Sequence, residues 1–502
     1  MSMFVGIYLL TTYIIFYVVR HLYQDYLAQR WGCEPISRLN TNFCYNFFGF
    51  GDVKRILMSL KGGYSLYEES NQLNKLGLST YETMVLGQYA IVTANPENAK
   101  AMMASQVDEF SIGVRSALFK DVLGQGIFTV EGKQWKHSRE TIRPSFGKSE
   151  ISHVAQLEPH FKKFTDALDR CMGQTVDVQP LLSRLAWDAS SELLFGGSIG
   201  SLDMVDGTLK NDGFDECFIT LQKYNRFRFL LGKYCWLVNP PARKQAVSEI
   251  KKFTQFYVQK ALSLSKQDLE NKSTGESTFL YDLAKTSREP KFLQDEILSI
   301  MLAGRGTTSS LMTFAIFELS RNPEIWRKLS SIVHEQFGDG SNLDLITFES
   351  IKKCQYLKFC LNETLRLHPP VSTTVRQAKK NTVLPHGGGA DGLQPIFVPK
   401  ATNVVLRIFA LHRMEKFYGP NATDFIPERW ENIRPGWAFV PFLGGPRVCL
   451  GQQLALTEAG YIIIRLAQTY REFVNMDPQS PPPLSVGAVS KLKRGVLVQA
   501  KK

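Results

Sequence analysis

The sequence contains no C-x-x-C pair, and its eight cysteines, at 33, 44, 171, 217, 235, 354, 360 and 449, are scattered over 502 residues. That scatter excludes zinc ribbons, thioredoxin-type chemistry and covalent C-x-x-C-H haem attachment, and it fits a reducing compartment better than a disulfide scaffold. No run of five or six basic residues occurs, so the excess of 59 Lys+Arg over 47 Asp+Glu, a net +12, is diffuse. A diffuse excess points to an anionic membrane surface or an acidic protein partner, and away from nucleic acid. No internal repeat and no Pro-, Gly- or Ser-rich linker divides the chain. The triplet Gly387-Gly388-Gly389 lacks the GK[ST] of a phosphate loop and reads as a tight turn. At 44% hydrophobic and 21% charged residues, the composition is that of a globular protein with a large core, not of a disordered chain.

Charge is absent from residues 1–19, MSMFVGIYLLTTYIIFYVV, which end at Arg20-His21. As a helix this run spans about 28 Å, close to the hydrocarbon thickness of a bilayer. Tyr8, Tyr13, Tyr17 and Tyr23 suit the interfacial aromatic belts. No basic stretch precedes the run and no small-x-small site follows it, so an uncleaved anchor is expected rather than a signal peptide. Arg20 and Arg30 lie on its C-terminal side and place the rest of the chain in the cytosol. The N-x-S/T sequons at Asn271, Asn362 and Asn421 are then chance occurrences, Asn362 falling in an apolar helical run.

Helical periodicity dominates the remainder. Gln294–Phe337 reads as two consecutive helices, the second capped and opened by Asn322-Pro323-Glu324. Asn95-Pro96-Glu97 opens another after the β-like stretch Leu86–Thr93, and Thr382–Val405 reads as strands and turns. The expected fold is mainly α with a small β portion. Its expected parts are an anchor at 1–19, a juxtamembrane linker at 20–45 and one large domain at 46–502. Arg226–Leu237 mixes bulky apolar residues with bases. It is either a surface that dips into a bilayer or an ordinary amphipathic helix and its following loop.

One cysteine stands apart, in Phe442-Leu443-Gly444-Gly445-Pro446-Arg447-Val448-Cys449-Leu450-Gly451. A haem iron needs a thiolate presented on a loop whose N–H groups point at the sulfur. Gly445 permits the backbone angles of such a loop, and Gly451 lets a following helix approach a flat macrocycle. Arg447 is long enough to reach a propionate, and Phe442 to pack beside the sulfur.

This segment resembles the haem-binding loop of the cytochrome P-450 monooxygenases. Glu363-Thr364-Leu365-Arg366 is similar to that family's E-x-x-R, and Pro427-Glu428-Arg429-Trp430 to the later segment whose arginine completes the ion network. Trp135-x-x-x-Arg139 and Arg376 resemble its propionate-binding positions. The resemblance implies the cytochrome P-450 fold behind one N-terminal transmembrane helix, with Cys449 holding the iron of haem b. It further implies activation of O2, electrons from NADPH through NADPH-cytochrome P-450 reductase with cytochrome b5 as an additional donor, and endoplasmic-reticulum residence on membrane lipid. Within the family, Trp31–Pro35, Gly126–Thr129, Trp135–Arg139 and Gly451–Ala459 resemble the fungal alkane and fatty-acid hydroxylase group, whose relatives also tailor terpenoids and polyketides.

Two departures from the family pattern matter. The oxygen-activating helix should carry an acid before its threonine, but Ala303-Gly304-Arg305-Gly306-Thr307-Thr308 keeps Thr307, the catalytic threonine, and has Gly306 in the acid's place. That acid relays protons, a role ordinarily worth about 10²–10⁴ in rate. Water, substrate or another side chain must take its place, or else the chain rearranges an already oxidised substrate without a reductase. Ser372 and Thr374 replace the usual proline and asparagine beside the substrate chamber. The added hydroxyls favour a lipophilic substrate that bears oxygen, so tailoring of a fungal secondary metabolite is expected, with terminal hydroxylation of n-alkanes or fatty acids as the alternative.

Overall fold

The computed structural model describes residues 2–37, 49, 51, 62–147, 154–205, 208–209, 213–265, 267–269 and 278–502. The expected boundary at 45/46, Cys44 and the sequon at Asn271 lie outside these residues. The first helix, α1 (Ser2–Arg30), continues well past Val19. Its end is fastened to the body: Cys33 N donates to Ala28 O at 2.8 Å, and the Trp31 ring meets Phe397 at 5.6 Å. Among the described residues no helix is long and apolar enough to cross a membrane. The expected N-terminal helix is therefore present, and its spanning of a bilayer is not borne out by this measure.

The chain then builds α2 (Gly132–Ile142), α3 (Glu158–Asp169), α4 (Val178–Phe195), α5 (Phe214–Leu231), α6 (Pro290–Arg321), α7 (Pro323–Phe337), α8 (Gln355–Leu367) and α9 (Gln452–Thr469). The pair α6 and α7 is as expected from the periodicity. Asn322 does not cap α7, however. Its Nδ2 donates to Glu318 O at 2.8 Å, a carbonyl at the end of α6 that also accepts from Asn322 N at 3.1 Å, while Pro323 starts the next helix without needing an N–H partner.

A minor sheet has the order β1-β2-β7-β4-β3, from β1 (Thr80–Val85), β2 (Gln88–Thr93), β3 (Phe110–Ser111), β4 (Thr373–Ala378) and β7 (Asn403–Arg407). Only β2 and β7 run parallel, with Val404 opposite Ile91. Leu86 and Gly87, at φ +49° and +70°, turn β1 into β2, so the β-like stretch begins inside a turn of the hairpin type. β5 (Thr382–Gly388) and β6 (Gln394–Val398) form a separate hairpin. Gly387 and Gly388 of the expected turn lie in β5, and only Gly389 turns the chain.

Helix α6 is the central strut. Leu293, Ile297, Leu298 and Met301 belong to one apolar cluster with Trp187 and Phe279, while Leu311, Phe314, Ile316 and Leu319 belong to a second with Phe161 and Tyr461. Each such side chain stabilises by about 1.5–3 kcal/mol through burial. Between the clusters, residues 302–307 are only half-buried although their neighbours on both sides are buried. That interruption of the packing is where the expected oxygen-activating motif falls.

Candidate active site

The Cys449 loop is shaped by local geometry before any ligand is considered. Leu443 and Gly445 hold φ of +61° and +65°, and Cys449 N donates to Phe442 O at 3.0 Å, closing the loop. A Cβ on Gly445 would land on the Met103 carbonyl oxygen, so glycine is required twice over, by angle and by space. Gly451 differs. A Cβ there would meet only Phe146 Cε1, at an unstrained 3.6 Å, so the protein's own described atoms do not demand glycine. The space beside it is what a flat macrocycle would occupy. The Cys449 side chain is exposed, yet burial by its surroundings raises the thiol's pKa, opposed by a hydrogen bond from the Gly451 N–H and by the Arg139 charge. An open-sided internal slot reconciles the two; the Gly451 N–H and the Arg139 charge act toward the thiolate, the form that binds iron, while burial outweighs them and holds the net shift upward.

The arginines around this slot are short of negative charge. Arg376, on β4, is 4% exposed, and burial together with Arg115 and Arg447 lowers its pKa to about 9. Arg447 is lowered to about 10 by burial and Arg115, and Arg115 itself is lowered by burial. Glu131 is the one carboxylate acting on all three, and it already accepts from Ile112 N at 2.6 Å. Among the described residues these guanidiniums outnumber the carboxylates acting on them, an excess of positive charge that the propionates of haem b would offset. Arg447 lies over the Trp135 ring at 4.4 Å and donates to Val130 O at 3.1 Å. Arg139 lies over the same ring at 5.7 Å and donates to Val448 O at 3.0 Å. The donor set thus fits haem, with Cys449, Arg376, Arg447, Arg139 and Trp135 brought together as the sequence motifs imply. Arg115 was missed, because it belongs to no motif and only the tertiary fold carries helix Arg115–Leu123 to Arg376.

On α6, the Thr307 hydroxyl donates back to Ala303 O at 2.7 Å. A Cβ on Gly306 would approach Val489 Cγ2 at 3.3 Å, so an apolar side chain borders the position of the missing acid. The guanidinium of Arg305 lies over the rings of Phe218 at 4.6 Å and Trp187 at 5.4 Å. A second missed residue is Glu458 on α9. It is 8% exposed, hydrogen-bonded to Thr308, and burial raises its pKa to about 7. The stretch Gly451–Ala459 contained it, but no role attached to it there.

The ion network is complete. Glu363, fully buried, accepts from Arg366 Nε and Nη2 at 2.9 and 2.7 Å, from Arg429 Nε at 3.0 Å, from Trp430 Nε1 at 3.0 Å and from Ile426 N at 3.0 Å. Burial alone would raise its pKa, but the Arg366 hydrogen bonds and charge outweigh this and the net shift is downward. Thr374 corrects an expectation. Its hydroxyl accepts from Arg376 Nη1 at 3.2 Å, so it serves the arginine rather than a substrate oxygen. Asn421, in a sequon, accepts from Arg429 Nη1 at 3.2 Å.

Comparison with known proteins agrees with this geometry. The cytochrome P450 family model matches residues 55–499. Cytochrome P450 52A12 of Debaryomyces hansenii is 44% identical over 450 residues, covering 87% of this chain and 86% of its own length. Cytochrome P450 52A4 of Candida maltosa is 41% identical over 500 residues, 95% of this chain and 92% of its own. Cytochrome P450 52A6 of Candida tropicalis is 42% identical over 438 residues, 84% and 83%. The resemblance to the fungal alkane and fatty-acid hydroxylase group stands with these matches, and haem b, O2 and reductase-delivered electrons from NADPH follow from the family. A complete haem-thiolate constellation and relatives spanning nearly the whole chain lead to one identification: this protein belongs to the cytochrome P450 family and is a haem-thiolate monooxygenase.

Proposed function

We propose that the chain hydroxylates the end of long n-alkane or fatty-acid chains, in place of the tailoring role first expected. One observation carries this: the relatives named above share the 52A designation and cover 84–95% of the chain. The engagement of Thr374 by Arg376 removes much of the reason for an oxygen-bearing substrate. In this reading Cys449 ligates the iron, and Arg139, Arg376, Arg447 and Trp135 hold the propionates. Phe442, Gly445 and Gly451 shape the slot, Thr307 orients O2, and Glu363, Arg366 and Arg429 brace the fold. Haem supplies oxygen activation when bound; the chain's own residues orient the substrate and move protons.

The proposed setting is the endoplasmic-reticulum membrane, with residues 1–19 as a single-pass anchor and the catalytic domain in the cytosol, next to the reductase and cytochrome b5. Phe4 and Tyr8 of α1 expose 75% and 72% of their surface. Trp236 and Leu237, after α5, expose 68% and 60%, while Arg228 turns inward at 3% and donates to Cys235 O and Val238 O. Aromatics outward and base inward suit an interface with lipid.

The test is turnover of a long-chain n-alkane and of the matching fatty acid by the purified holoenzyme with reductase and NADPH. A terminal alcohol is expected. Oxidation of a terpenoid or polyketide with neither chain touched would restore the tailoring reading. Gly306 motivates a second reading, rearrangement of a pre-oxidised lipid, which requires product to form without NADPH.

A further inference from the structure

Arg115 meets Arg376 and Arg447 only because its helix is held in place. Ser111 of β3 lies opposite Gln377 of β4, the neighbour of Arg376, and a Cβ on Gly113 would stand 3.1 Å from the Gln377 Cβ. The chain therefore enters helix Arg115–Leu123 against the strand that carries Arg376. Beyond the far end of that helix, Gln125 N donates to Asp295 Oδ2 of α6 at 2.8 Å. The first helical turn, which bears Arg115, has no side-chain cap, because Val114 occupies the N-cap position.

What grips that turn is a buried ion cluster. Arg228, near the end of α5, is 3% exposed, and its Nη2 donates to Ala117 O and Leu118 O, each at 3.3 Å, within one turn of Arg115. Its Nη1 donates to Cys235 O and Val238 O at 3.2 and 3.1 Å, in the turn that exposes Trp236 and Leu237. The Cys235 thiol reaches the same Ala117 O at 3.8 Å. Asp121, on the helix itself, lies 3.7 Å from Arg228 Nη2 and accepts from Arg243 twice, Nη1 to Oδ2 at 2.5 Å and Nη2 to Oδ1 at 3.1 Å. Arg243 is 1% exposed and sits in the first turn of helix Pro241–Ser263. Two buried guanidiniums thus converge on one short helix from positions 111 and 122 residues away.

We propose that Arg228, with Asp121 and Arg243, is a positioning residue for the haem pocket: it sets where Arg115 stands beside the propionates, and so ties the exposed turn after α5 to the cofactor's edge. A bond from a charged donor is about twice as strong as a neutral one, and the planar guanidinium fixes direction as well as distance. Without that grip the uncapped turn is free to shift, and Arg115 shifts with it. A positive charge beside a propionate favours the reduced haem, so its withdrawal lowers the reduction potential. The inference rests on the haem pocket, not on the substrate or the membrane setting.

The experiment measures haem release to a scavenger and the haem reduction potential in holoenzyme carrying Arg115→Leu, Arg376→Leu or Arg228→Met, singly and in pairs. Arg115→Leu and Arg228→Met are each expected to speed release about tenfold and to lower the potential. The pair Arg115→Leu/Arg228→Met should be no worse than Arg115→Leu, since Arg228 acts through Arg115. Arg376→Leu/Arg228→Met should instead show the product of the two single effects, since β4 holds Arg376 by itself. Arg228→Lys, which keeps the charge, should recover part of the loss. A retained thiolate spectrum of the reduced carbon-monoxide complex certifies each variant's fold, and Asp121→Asn takes the place of Arg228→Met where that variant fails it. Multiplying effects in Arg115→Leu/Arg228→Met, or the same non-additivity with Arg376→Leu, overturn the proposal, for either makes Arg228 a general brace. Unchanged release and potential in Arg228→Met overturn it as well. Arg115→Leu without effect would remove Arg115 from the propionates and the proposal with it, leaving the assignment of Cys449 intact.

Discussion

Replacing Arg366 by methionine removes the centre of the buried ion network while keeping most of the side chain's volume. In the native chain Arg366 makes two bonds to Glu363 and donates to the carbonyls of His412, Ala422 and Asp424 at 3.0, 2.5 and 3.0 Å. Its loss leaves Glu363, at zero exposure, with Arg429, Trp430 and Ile426 as remaining donors. Breaking a buried pair from one side costs about 3–5 kcal/mol, and each orphaned buried carbonyl adds about 1–3 kcal/mol. Against a typical total of about 5–15 kcal/mol, the variant should yield almost no haem-loaded protein. The assay is the amplitude of the reduced carbon-monoxide spectrum per polypeptide, together with thermal unfolding. The double variant Glu363→Gln/Arg366→Met should be no less impaired than Arg366→Met, because Arg429, which pairs with Glu363 at 3.0 Å, then loses its carboxylate. The sign with pH follows from the depressed Glu363 pKa: its stabilisation is present above the unfolded carboxylate value of 4.5 and is lost as pH falls through the lower folded value. Near-native haem loading in Arg366→Met would refute this account of the network.

Gly445→Ala should abolish haem loading, since its Cβ collides with the Met103 carbonyl at a positive φ; a normal thiolate spectrum would contradict that. Arg376→Leu should still fold but release haem to a scavenger about tenfold faster, because one of the three guanidiniums is gone and each charge-assisted bond is worth about 1.5–3 kcal/mol. Gly306→Asp brings its Cβ to 3.3 Å from Val489 Cγ2, so Val489→Ala should cost less in thermal unfolding beside Gly306→Asp than in the native chain. The raised Glu458 pKa stabilises the fold fully below 4.5, and that stabilisation is lost as pH rises through about 7. The stability gap between Glu458→Gln and the native chain should therefore move in the variant's favour by about 3 kcal/mol between those limits, read by unfolding at several pH values.

Local chemistry made much of the site legible. The turn geometry at Gly445, the spacing of Glu363 and Arg366 on one helix face and the Pro323 break between α6 and α7 each follow from a few adjacent residues, which is why the motifs announced them. Asn322 escaped the same reading because two helix ends compete for one amide, and a sequence does not say which end wins. Thr374 escaped it because its hydroxyl faces an arginine two residues away only once β4 is formed.

By itself the sequence determined the helical class, the shape of the Cys449 loop and the family, since loop angles, helix periodicity and paired charges at i and i+3 are short-range properties of the chain. Only the tertiary structure decided that Arg115 joins Arg376 and Arg447, and that Glu458 of α9 bonds Thr308 of α6. Those pairings join segments 150 or more residues apart, and the burial that shifts their proton affinities exists only after the layers between them have packed.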